Sequence, residues 1–191
     1  MRVRLNLLAV LAIIAAALTV GLAACGDDDS GGDSGSTATA AAQTPDEAYA
    51  AALRDAAGTV AGLAGSVTSG DEPAMVASSI RDGVADWQSA IAAAQAADLT
   101  DATLVEQRDA LVAASPAYVD AWTAVADEWD GGTANGLLEL VQQRSAISDG
   151  TSTLATAVEG VLQQAGSEAR AELQGVEAEI EDALDQVRSA G

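Results

Sequence analysis

The sequence contains no histidine, no phenylalanine and a single cysteine, Cys25. All 8 of its basic residues are arginine, so lysine is absent too. Each gap removes chemistry. A Ser-His-Asp or Cys-His apparatus needs an imidazole as general base, and none is available. One cysteine allows no disulfide within the chain. Zinc, haem and copper sites draw on His and Cys, so no metal site and no cofactor is expected. Positive charge is also scarce: 8 arginines against 29 acidic residues give a formal charge of −21. Nucleic acid requires a basic footprint and is excluded as a partner. The same charge disfavours lying on an anionic bilayer by electrostatics. It fits a domain kept soluble by its charge, or one whose partner is cationic.

What is present begins with three zones at the N-terminus. Arg2 and Arg4 form a short positive region. Leu7 to Ala24 carries no charge and no polar side chain except Thr19. Leu22-Ala23-Ala24-Cys25 then meets Gly26-Asp27-Asp28-Asp29. A positive start, an apolar run and small residues before the cut define a secretory signal peptide. The run is also about long enough for a transmembrane span, but the small residues before Cys25 and the acidic, glycine-rich stretch after it disfavour a lasting one. Leu22-Ala23-Ala24-Cys25 resembles the lipobox of bacterial lipoprotein precursors, over residues 1–25 only. The resemblance implies cleavage before Cys25, diacylglycerol on its thiol, and lipid anchoring to the membrane on the extracytoplasmic side. Two acyl chains hold a protein on a bilayer where one does not. An ordinary secretory signal that happens to contain a cysteine is the simpler alternative.

Three regions follow: a signal peptide over 1–24, a lipidated Cys with a Gly/Ser/Asp linker over 25–43, and a domain over 44–191. Removing residues 1–24 leaves 167 residues and takes away two arginines and no acid, which lowers the formal charge to −23. Residues 26–43 hold no apolar side chain larger than alanine and read as a solvated tether with a reach of roughly 20–25 Å. Its Asp27-Asp28-Asp29 run suggests no ordered cation cage.

Thr44-Pro45-Asp46-Glu47 is a helix start, with Thr44 as cap, Pro45 at the first helical position and Glu47 completing a capping box. Tyr49, Leu53, Ala56, Val60, Leu63 and Val67 follow at alternating steps of four and three, a heptad seam. Gly70 closes the segment. Asp71 and Pro73 open a second, with Val76, Ile80, Val84, Trp87 and Ile91 on its stripe. Thr100 is the expected cap of a third, which carries Leu104, Leu111, Tyr118, Trp122, Val125 and Trp129. Pro116 predicts a kink or short break there. Asp130-Gly131-Gly132-Thr133 is a loop. A fourth segment runs from about Asn135 through Leu137, Val141, Ile147, Leu154, Val158 and Val161, with Gly150 weakening its middle. Gly166-Ser167 reads as a stop followed by a new cap. Ala169, Leu173, Val176, Ile180, Leu184 and Val187 mark the last segment. The stripe nearly continues across Gly166, which leaves open whether 135–165 and 167–189 form one helix or two. No segment alternates with period two. The expected fold is all-α: an elongated antiparallel bundle of four or five long helices, coiled-coil-like in its seams, after a flexible tether.

Candidate functional residues are few. Trp87, Tyr118 and Trp122 fall in register on apolar stripes and read as core. Trp129 stands among Asp127, Glu128 and Asp130 at a helix end and is the candidate contact surface. That acidic stretch lacks the spacing of a calcium loop. In the last segment Glu168/Glu172, Glu177/Glu181 and Glu181/Asp185 are like charges four residues apart, each costing a few tenths of a kcal/mol, roughly, on an exposed helix. The function expected is a non-catalytic, lipid-anchored bundle that makes protein contacts in the cell envelope, with a cationic or helical protein as partner. Two alternatives remain. One is a lipid-anchored receptor holding a small or cationic ligand between helices. The other is a carboxylate-based hydrolase, the one common mechanism that needs neither His nor Lys. An open apolar pocket at Trp87 and Trp122 favours the first alternative; a buried, isolated carboxylate in a cleft favours the second.

Overall fold

Thr44 starts the fold as its chemistry dictates. Its Oγ1 accepts from the Glu47 N–H at 3.3 Å, and Glu47 Oε2 accepts from the Thr44 N–H at 2.6 Å. The computed structural model describes residues 43–190. Helix α1 is Pro45–Thr68, α2 Pro73–Ala96, α3 Ala102–Asp130, α4 Thr133–Gln164, α5 Ser167–Glu172 and α6 Val176–Ala190. No strand occurs among the described residues, and the fold is an all-α bundle.

The helix ends show where turn chemistry was read well and where it was not. Gly70 has φ +74°, as a helix-terminating glycine should. Asp101, not Thr100, caps α3: its Oδ1 accepts from both Thr103 N–H (2.9 Å) and Leu104 N–H (3.0 Å). A carboxylate that satisfies two orphan donors at the positive end of a helix outcompetes a hydroxyl one residue earlier. Pro116 does not break α3, which runs through it. Helix α4 and the last segment are separate. Ala165 and Gly166 are both extended, with Gly166 rather than Ser167 in the capping position and no side-chain cap. A second break, absent from the sequence reading, separates α5 from α6 at Leu173-Gln174-Gly175, where Gly175 has φ +86°. The apolar pattern gives no sign of it, because Ala169, Leu173, Val176 and Ile180 stay buried on both sides.

Consecutive long helices pack side by side: α1 on α2, α2 on α3, and α3 along α4 as the most extensive pair. They run antiparallel. Against α3, position 160 of α4 meets Gln107, position 150 meets Tyr118 and position 136 meets Trp129. Helix α6 lies between α4 and α1, which also touch each other directly, and α5 rests on α1. The core is one contiguous cluster to which all six helices contribute, with much of α1's share supplied by alanine. Small residues let helix axes approach closely, and the large side chains of the neighbouring helix fill the space.

Helix α4 is where that exchange is sharpest. A Cβ on Gly150 would sit 2.5 Å from Tyr118 Cδ2, one on Gly136 would overlap the Trp129 indole, and one on Gly160 would overlap the Gln107 amide. The α4 seam therefore runs through Gly136, Leu140, Ile147, Gly150, Leu154, Ala157 and Val161, all buried. This corrects the register read for its first turns. Leu140 is buried, while Val141 is 43% exposed and Leu138 is 61% exposed. Gly150 is not a weak point but a seat for an aromatic ring.

Candidate functional site

The aromatic residues form the densest constellation. Trp87 on α2 donates its indole N–H to Ser115 Oγ on α3 at 2.9 Å, a buried bond between two helices. Its ring stacks at a tilt on Tyr118, with centroids 4.3 Å apart, and Tyr118 meets Trp122 edge-on at 6.4 Å. Such geometries are favourable beyond the area they bury. Tyr118 is clamped between Trp87 and the backbone of Gly150. Trp87, Tyr118 and Trp122 are at most 1% exposed. They are core, as their register implied.

Trp129, the candidate contact surface, is 1% exposed. The expectation is corrected: its ring lies over Gly136, in the notch that the missing side chain leaves. Polar neighbours in sequence misled the reading, because Asp127, Glu128 and Asp130 point away from the face that Trp129 occupies. Cys25, the expected site of lipid attachment, lies outside the described residues.

Burial sets the chemistry of the two tyrosines. Desolvation of the phenolate raises the Tyr118 hydroxyl well above its ordinary value. Tyr49 is raised by the same cause, with Arg108 opposing and Asp109 reinforcing. Both stay protonated at any physiological pH. Among the described residues, the hydroxyls of Tyr49 and Tyr118 and the indole N–H groups of Trp122 and Trp129 have no hydrogen-bond partner. Trp87 alone among the three indoles is paired.

The acids behave differently. No Asp or Glu is buried among the described residues. Asp127 and Asp130, from the stretch that superficially suggests a calcium loop, clasp Arg81 at 3.0 and 2.6 Å. The two bonds, Asp130's first, raise the guanidinium pKa. Among the described residues no group of three or more His, Cys, Asp or Glu side chains is arranged to hold a metal ion.

One cleft, of about 290 Å³, opens where α1 begins and α5 begins, lined by Thr44, Asp46, Glu47, Gly166, Ser167, Glu168 and Ala169. Glu47 is lowered, first by the Thr44 backbone N–H and then by Glu168 and the Thr44 hydroxyl. Glu168 is raised by its hydrogen bond to Glu47 and by repulsion from that charge. A split pair of carboxylates is the pattern used for acid–base work. Here it has another cause. Glu168 is exposed and Glu47 only partly buried, so the split comes from like charge beside a helix cap rather than from a dry pocket, and water screens it. One Glu47 oxygen, Oε2, is already engaged by the cap.

Among the described residues no helix is long and apolar enough to cross a membrane. Comparison with protein-family models, curated proteins and solved structures finds no match for the chain. What the fold and surface define is a class: an acidic all-α bundle with a filled aromatic core.

Proposed function

We propose that the chain is a lipid-anchored lipoprotein of the extracytoplasmic membrane face, a non-catalytic helical bundle that works through protein contacts in the cell envelope. The observation that carries it is Leu22-Ala23-Ala24-Cys25, placed between an uncharged apolar run and an acidic Gly/Ser/Asp linker. The tether would hold the bundle off the bilayer by roughly 20–25 Å. A helical or cationic partner suits the surface, which carries nearly all the acids in solvent.

The filled core supports contact over capture. A receptor between the helices needs an apolar opening at Trp87 and Trp122, and both side chains are sealed. A carboxylate hydrolase needs an acid sheltered from water, and Glu168 is not.

Mass spectrometry of the mature N-terminus tests the anchoring. The expected species begins at Cys25 with diacylglycerol on sulfur, and Cys25→Ser leaves a longer, unlipidated chain. An unmodified chain beginning elsewhere overturns the reading. Crosslinking on intact cells followed by co-purification then tests for a protein partner.

A further inference from the structure

We propose that the C-terminal arm, α5 with α6, is a charge-controlled strap that opens from the α1–α4 body as one unit and closes as ionic strength rises. The proposal is independent of how the chain is anchored.

The four long helices make contacts of their own apart from the arm. Helices α1 and α4 touch directly, and the α1–α2, α2–α3 and α3–α4 interfaces contain no arm residue. The arm joins the body through two extended residues, Ala165 and Gly166, and is itself jointed at Gly175, with φ +86°. Between these joints α5 is only 6 residues long.

Helix α6 lays one narrow stripe, Val176, Ile180, Ala183 and Val187, into the groove between α1 and α4. Its 15 residues are too few to hold a helix alone in water. Leaving the groove therefore means losing the helix, so the arm departs as a unit rather than fraying residue by residue. Two arginines of the body tie it down, one near each end. Arg54 on α1 pairs with Glu172 at 2.6 Å, and Arg144 on α4 donates to the Arg188 carbonyl at 2.9 Å. The second places a cation where the helix dipole favours one.

Charge works against these ties. Glu177, Glu179, Glu181, Asp182 and Asp185 lie along the outer side of α6, and Arg188, paired with Asp185 at 3.0 Å, is its one cation. Glu177/Glu181 and Glu181/Asp185 repel at helical i,i+4 spacing. The facing elements add more negative than positive charge. On the stretch of α1 beside the arm stand Asp46, Glu47, Arg54 and Asp55. On α4 stand Arg144, Asp149 and Glu159. The carboxylates move apart when the helix is lost, so repulsion favours the open arm, and mobile ions remove that bias. Opening would uncover the apolar groove between α1 and α4, a surface of the kind that receives an amphipathic helix.

Hydrogen-exchange mass spectrometry on the full chain in a non-ionic detergent tests this at roughly 20 mM and 500 mM NaCl, either side of the range where screening becomes short. At low salt, peptides spanning Val176–Val187 should exchange at least tenfold faster than peptides spanning Leu111–Trp129, and salt should narrow the gap several-fold. Arg144→Gln and Arg54→Gln should each speed the arm and leave α3 unchanged. Neutralising the outer side with Glu177→Gln, Glu181→Gln and Asp185→Asn should slow the arm at low salt and reduce its salt response at least twofold. Arm and α3 exchanging together at both salt concentrations overturns the proposal, because the bundle is then one cooperative unit. A salt response undiminished by neutralisation overturns it equally, since charge on α6 is then not the control.

Discussion

Gly150 and Gly62 are both helical glycines, yet they face opposite constraints. A side chain at 150 meets Tyr118 at 2.5 Å, while one at 62 meets nothing within 4 Å. Gly150→Ala is expected to destabilise the bundle by about 1–3 kcal/mol through overpacking. Gly62→Ala should stabilise it by about 0.5–1 kcal/mol, because alanine loses less backbone freedom on folding. Urea titration of the two variants compares them directly, and equal shifts would refute the seat assigned to Tyr118. The tyrosines give a second test at this scale. Their folded pKa values lie above the ordinary 10.0 through burial, so they contribute stability that is fully present below that pH and is lost as pH rises toward the folded values. Phenolate absorbance should stay flat past pH 10, then appear for both tyrosines together with the loss of helix signal. One tyrosine titrating near 10 with the helices intact would mean that its hydroxyl reaches water.

Helix α3 is continuous across Pro116, though proline removes one helical hydrogen bond and crowds the carbonyl four residues back. The helix persists because tertiary contacts bracket the site: Ser115 accepts from Trp87, and Tyr118 is held between Trp87 and Gly150. Packing on both sides outweighs the local defect. Pro116→Ala is therefore expected to raise stability by about 1–3 kcal/mol without moving the aromatic cluster. A thermal midpoint that falls would show that the proline fits a bent helix better than alanine does. Most elements were legible in sequence for a simple reason. The stripes of α1 and α3 carry apolar residues, mostly large, at steps of three, four or seven, and every one of them is buried. Helix α4 was less legible because three of the seven residues on its seam, Gly136, Gly150 and Ala157, are small. Leu137 outweighs Gly136 in any reading by size, and only the rings of Trp129 and Tyr118 on the opposite helix make glycine the fitting residue.

At the scale of the whole molecule, acids outnumber arginines by more than three to one, and no carboxylate is buried among the described residues. The charge thus acts through the surface as a whole. Adding NaCl up to roughly 0.5 M should raise the urea midpoint with the slope of the transition unchanged. A midpoint indifferent to salt would mean that local pairs such as Arg81 with Asp127 and Asp130 already balance the repulsion. The candidate sites divide along the same line. The anchor proposed at Cys25 rests on a signal of contiguous residues, so composition and order are enough to propose it. The contact surface proposed at Trp129 failed because exposure is not a property of neighbours in the chain.

Composition and periodicity were sufficient for the all-α class, the capping box at Thr44, the seams of α1 and α3, and the absence of imidazole chemistry, since each depends on residues near one another along the chain. Burial of Trp129 over Gly136, the choice of Leu140 over Val141, the pairing of Trp87 with Ser115 and the hinge at Gly175 depend on what another helix presents at the same height. Helical periodicity specifies a face, but it carries no information about the depth or shape of the surface that face will meet.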